Sequence, residues 1–201
     1  MTKLLKWAAI QIYYYLIAAD GKISEQEMEC FLEIAKETDP LFDQYKDALM
    51  QECKNQVDKI GGQGKQYDVL KEGINLVYRD QRRDILRGSA GKAGEIDANR
   101  FMWNMLSIAM SDEKYADEEC EIIQYVVEKF ELDGAVFLEL ENAMKAIVDI
   151  DRSIARMTCK ENPFVIKEAY WDVKSSEVCG LIDEFINRKE IIFNSVKVMM
   201  N

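Results

Sequence analysis

The stretch AADGKISEQEMECF, residues 18–31, holds the side chains best placed to do chemistry. Asp20, Gly21, Ile23 and Glu27 stand in a D-G-x-I-x-x-x-E spacing, the back half of a calcium-binding loop, where a glycine makes the sharp turn and a final glutamate chelates. The front half is missing. In that register the first and third ligand positions fall on Leu16 and Ala18, which carry no side-chain oxygen, whereas calcium takes about six to eight oxygens. A helix-to-helix turn accounts for more of the same residues. Ser24 and Glu27 form a capping box, each side chain satisfying an orphan amide of a new helix, and Ile23 with Met28 has the spacing of a hydrophobic staple. Gly21 supplies the backbone freedom that ends the preceding helix.

Composition narrows the remaining chemistry. The 201 residues contain no histidine, which removes Ser-His-Asp and Cys-His constellations, His-ligated metals and imidazole pH switching. The five cysteines, Cys30, Cys53, Cys120, Cys159 and Cys179, form no C-x-x-C pair. Reduced thiols in a cytoplasmic protein are expected, not a zinc knuckle or a disulfide framework. GGQGK at 61–65 lacks the spacing and the trailing hydroxyl of a phosphate loop and reads as a connector. A net charge of −11 argues against nucleic-acid binding. The one dense basic run, RDQRRDILR at 79–87, is interleaved with aspartates and reads as a solvated helix face.

The N-terminal MTKLLKWAAIQIYYYLIAAD has the charge pattern of a signal peptide, but Gln11 and three tyrosines interrupt its apolar stretch, and it is too short to span a bilayer. A buried first helix is expected, with no transmembrane segment. Apolar residues recur at three- and four-residue steps along nearly the whole chain, and proline occurs only at 40 and 163. The expected fold is all-α: a bundle of seven or more helices. Helix one covers about 3–19, with Leu5, Ala9, Ile12, Leu16 and Ala19 inward. Helix two starts at Ser24. Asp39-Pro40 opens helix three, which turns Phe42, Tyr45, Leu49, Cys53, Val57 and Ile60 inward. Helix four carries Tyr67, Leu70, Ile74, Val77 and Ile85. GSAGKAG at 88–94 is a link. Helix five then ends near Ser111, helix six is striped by Ala116, Cys120, Ile123, Val127 and Phe130, and a long helix seven by Leu140, Met144, Ile147, Ile154 and Met157. After a break at ENPF, 161–164, a final helix repeats Val178, Leu181, Phe185, Ile192, Val196 and Met199.

The chain also repeats itself. DGKISEQEMECF from Asp20 aligns without a gap on DEKYADEECEII from Asp112, an offset of 92 residues. Asp20, Lys22, Glu27 and Glu29 meet Asp112, Lys114, Glu119 and Glu121 as identities, while Ser24 becomes Ala116 and Gly21 becomes Glu113. The repeat halves run over about 1–87 and 95–157, with an internal pseudo-two-fold, and helix one has a mid-chain counterpart where no secretion signal could sit. With the Ser24 hydroxyl lost at Ala116, the reciprocal cap is gone, yet Glu119 is kept. Asp20, Glu27, Asp112 and Glu119 are therefore the candidate ligands of a divalent cation, calcium, magnesium or manganese. The competing explanation is that acids in a first helical turn favour the positive end of the helix dipole.

An apolar helix ending in A-D-G-x-[IV]-[ST]-x-x-E and running into an amphipathic helix resembles the tellurite-resistance TerB-like family. Ala19, Asp20, Gly21, Ile23, Ser24 and Glu27 carry the resemblance, which covers about 1–157; 158–201 is a C-terminal helical extension. The second copy departs from the motif at Glu113 and Ala116. The resemblance implies a helical bundle, no established enzymatic activity, a role in bacterial stress and a divalent-cation site built from the motif acids. The leading functional reading is a non-enzymatic interaction module with a protein partner. Two readings compete with it: a structural subunit that forms a homodimer through its C-terminal helix, and a carboxylate metalloenzyme, whose Glu-x-x-His pairs a chain without histidine cannot supply.

Overall fold

The computed structural model describes residues 4–19, 23–60, 66–88, 94–112, 115–158 and 171–200. The expected connectors at 61–65 and 88–94 and the break at 161–164 lie wholly or largely outside them, as do Asp20, Gly21, Lys22, Glu113, Lys114 and the side chains of Val57 and Ile60. The all-α expectation is met. Eight helices are described: α1 (Lys6–Ile17), α2 (Glu25–Thr38), α3 (Phe42–Ile60), α4 (Gln66–Leu86), α5 (Ala98–Ala109), α6 (Asp117–Lys129), α7 (Gly134–Thr158) and α8 (Trp171–Met199). Two short strands, β1 (Leu4–Leu5) and β2 (Glu95–Ile96), pair antiparallel. The chain divides into two compact units, Met1–Leu138 and Glu139–Asn201, with the division inside α7.

α1 is the axis of the first unit. From Ala8 to Ile17 only Gln11 escapes full burial, as expected of a helix that is apolar all round. The single inward stripe expected for it was too narrow, and the expected start at residue 3 is replaced by β1, whose Leu5 N–H donates to Gln81 Oε1 at 3.0 Å. α1 packs on α2, α3, α4, α5 and α6. Gly73 of α4 allows one of these approaches: a Cβ there would stand 3.0 Å from the Tyr15 ring. In α4, Gln81 is fully buried where Ile85 was expected inward; Ile85 is half-exposed. The arginines around Gln81, Arg79, Arg82, Arg83 and Arg87, do form a solvated face.

α3 begins two residues later than expected. Asp39 caps the C-terminus of α2, and its carboxylate accepts the Leu41 N–H at 3.0 Å and the Tyr45 hydroxyl at 2.6 Å. The Asp39-Pro40 pair thus makes the corner, and Phe42 opens the helix.

The 92-residue offset governs the architecture. α5 starts and ends 92 residues after α1, α6 starts 92 after α2, and α7 starts 92 after α3. Each copy is therefore a run of three helices. Leu4 and Ile96, equivalent under the same offset, pair directly, which places the pseudo-dyad between them.

In the second unit, Leu140, Met144, Ile147 and Ile150 of α7 and Val196 of α8 are buried. Lys189 donates to both carboxylate oxygens of Asp151 at 2.6 Å, tying α8 to α7. Among the described side chains, the half-buried positions of α8 are Val178, Ile182, Phe185, Lys189, Ile192, Phe193 and Met199. Ile182 replaces the expected Leu181, which is exposed.

Candidate functional site

The two interhelical turns are built alike at their helix starts. Ser24, the N-cap of α2, is extended at φ −72°, ψ 160°. Its hydroxyl accepts the Glu27 N–H at 3.1 Å, and Glu27 Oε2 accepts the Ser24 N–H at 2.6 Å. Ala116, the N-cap of α6, holds nearly the same backbone, φ −68°, ψ 150°. Glu119 Oε2 accepts the Ala116 N–H at 2.9 Å. The expectation that Glu119 has no capping role is corrected here: the carboxylate needs only the N-cap amide, which alanine possesses, so half of the box survives the loss of the hydroxyl. Both glutamates are buried, Glu27 to 6% and Glu119 to 4% exposure. The staple expected from Ile23 and Met28 is not a buried one, because Ile23 is 41% exposed.

Packing brings the two turns to one end of the unit. α1 and α2 form a hairpin in which Tyr14 meets Phe31 edge-on at 5.9 Å. α2 runs antiparallel to α5: Cys30 Sγ donates to the Ser107 carbonyl at 3.6 Å near one end, and Arg100 reaches Glu37 at 3.6 Å near the other. α1 and α5 therefore run the same way, and both end beside the N-terminus of α2. Tyr13 and Asn104 lock the pair, since Asn104 Nδ2 donates to the buried Tyr13 hydroxyl at 3.2 Å. The Tyr13 ring also stacks on Phe101 at 5.5 Å.

Of the four candidate ligands, Glu27 and Glu119 are engaged as caps, Asp112 is half-buried in the turn after α5, and Asp20 lies outside the described residues. Among the described residues no group of three or more His, Cys, Asp or Glu is placed to hold a metal ion. Asn104, Tyr13 and Gln81, which join the parts, were not singled out in the sequence. For Tyr13 and Asn104 a polar group inside an apolar helical stripe was the available signal; Gln81, in a basic run, had none.

The thiols Cys30 and Cys53 and the phenols Tyr13, Tyr15 and Tyr45 are held in their neutral forms. Burial pushes the Cys30 thiol up to about 11, with Glu33 and Glu37 adding to the effect, and the Cys53 thiol up to about 12. Burial likewise raises Tyr13, Tyr15 and Tyr45 above the ordinary phenol value. Nucleophilic thiolate chemistry requires the opposite shift.

Fold and site together define an all-α module built on a tandem three-helix repeat, with two carboxylate-capped turns at one end. The family described as Tellurite resistance protein TerB matches residues 6–142, and the chain belongs to that family. No curated protein and no solved structure matches the chain. Among the described residues no helix is long and apolar enough to cross a membrane.

Proposed function

We propose that this TerB-family chain is a non-enzymatic, stress-associated binding module that works through the end where its two interhelical turns lie, taking a divalent cation there and presenting that end to a protein partner. The observation that carries this reading is the parallel run of α1 and α5, which brings Glu27, Asp112 and Glu119 to the same end of the unit; Asp20, the fourth candidate, is carried from the sequence alone. Each capping glutamate gives one oxygen to an amide. The turn aspartates and backbone carbonyls then supply the remaining hard oxygen ligands that calcium, magnesium or manganese prefers. The neutral thiols and phenols of the interior support a binding role over a catalytic one.

Calorimetric titration with calcium, magnesium and manganese tests it. Wild type is expected to bind, Asp20→Asn and Asp112→Asn to weaken binding, and Glu119→Gln to weaken it while the amide oxygen of Gln preserves the cap. Absence of both heat and thermal stabilisation at millimolar cation overturns the cation site. Turnover of a substrate by the purified chain would overturn the non-enzymatic reading.

A further inference from the structure

On a chain with a net charge of −11, α4 and α6 share a strip of cations seated on tyrosines. Lys71 Nζ lies 4.0 Å from the centre of the Tyr67 ring and 4.8 Å from that of Tyr125. The Tyr78 ring receives Lys129 Nζ at 5.1 Å and the Arg82 guanidinium at 5.6 Å. Among the described residues none of the three cations forms an ion pair, although Arg83 next to them pairs with Asp80. Two of the three rings are held by further contacts: the Tyr125 hydroxyl donates to Asn75 Oδ1 at 2.8 Å, and Tyr78 sits edge-on to the buried Phe130 at 5.1 Å. A cation over a fixed ring loses little further freedom when its N–H groups engage an anion. Lys71 and Arg82 are separated by about 16 Å along the axis of α4, three helical turns on one face.

We infer that this α4–α6 strip is a docking site for a short acidic peptide segment of a partner protein, whose carboxylates bind Lys71, Arg82 and Lys129. Charge complementarity selects the occupant. The strip is short, and the negative field of the rest of the chain opposes a long polyanion such as nucleic acid. Single-stranded nucleic acid also stacks its bases on open aromatic faces, and here each of the three tyrosines already carries a cation over its ring. Carboxylates spaced along a peptide need only the outward N–H groups. This surface is distinct from the turns, so it does not depend on cation binding there.

Fluorescence anisotropy with a labelled oligoglutamate peptide of about ten residues, enough to span the strip, tests the inference on the full chain. Wild type is expected to bind at low salt despite its net negative charge, and the binding to fall steeply by about 0.5 M salt. Lys71→Ala with Arg82→Ala and Lys129→Ala is expected to weaken binding by about tenfold or more. The paired Lys71→Arg and Lys129→Arg variant keeps the binding, and Lys54→Ala, on the exposed side of α3, leaves it unchanged. No binding by wild type, equal binding by the triple variant, or preference for an oligothymidylate of the same length would overturn it.

Discussion

The two copies of the three-helix repeat keep the same helix starts and bury different chemistry. The first copy encloses Tyr13, Tyr15 and Cys53 and half-buries Cys30 and Tyr45. Ninety-two residues on, the same positions hold Met105, Ser107, Lys145, Ile122 and Phe137. The backbone plan has survived with a different set of side chains, because it depends on helical phase and one capping carboxylate per turn. The thiols and phenols that burial raises lie in the first copy, so the copies should fail under different stresses.

The largest expected effect follows from that asymmetry. The thiols and phenols of the first copy ionise near 9.0 and 10.0 when free, and the fold raises them, Cys30 to about 11 and Cys53 to about 12. A raised acid pKa contributes stability that is fully present below the free value and is lost as pH rises through the folded value. The melting temperature is therefore expected to stay level from neutrality to about pH 8.5 and to collapse between about pH 9 and 12. Thermal melts across that range, read with phenolate absorbance, check it. Cys30→Ile, which installs the residue of the second copy, should shift the onset upward. A chain as stable at pH 11 as at pH 8 would break the comparison.

Next in size is the cap glutamate. In the second copy Glu119 is, among the described residues, the one side chain seen to serve the N-cap, and Glu119→Ala is expected to cost about 2 kcal/mol, the upper end for a lost cap. Glu27→Ala leaves the Ser24 hydroxyl in place and should cost about 1 kcal/mol. Denaturant titrations of the two variants give the difference directly. Tyr13→Phe sharpens the same picture from the middle of the dyad: it removes the acceptor of the buried Asn104 amide and should cost about 1.5 kcal/mol, with no effect on either turn.

The repeat and most of the core were legible because helical phase and acids at a fixed offset are local signals. α6 shows this best: Ile123, Val127 and Phe130 are buried as its period requires. What escaped depends on partners distant in the chain. Nothing near Leu4 and Leu5 announces a strand, since their partners Ile96 and Glu95 lie far along the chain. Gln81 sits in a basic run that looks solvated, and only contact with the Leu5 amide explains its full burial. At the two turns the sequence pointed to Glu27 and Glu119, and both serve as caps. It misjudged the role of Glu119 because the residue at 116 was weighed by its missing hydroxyl, when its backbone amide was the group being served.

The smallest expected effects come from exchanging the caps themselves. Ser24→Ala converts the first turn to the chemistry of the second and should cost about 1 kcal/mol. The reverse change, Ala116→Ser, places a hydroxyl on a backbone within a few degrees of that of Ser24, φ −68°, ψ 150° against φ −72°, ψ 160°. Its oxygen can therefore accept the Glu119 N–H as Ser24 accepts that of Glu27. The gain should be similar to or smaller than the loss at Ser24, about 0.5 to 1 kcal/mol, because the Glu119 carboxylate already secures the other half of the box. The double variant should melt close to wild type, the two turns having traded caps. If Ala116→Ser leaves the melting temperature unchanged while Ser24→Ala lowers it, the Glu119 amide already has an acceptor that the first copy lacks. The near-identity of the two turns would then stop at the N-cap backbone.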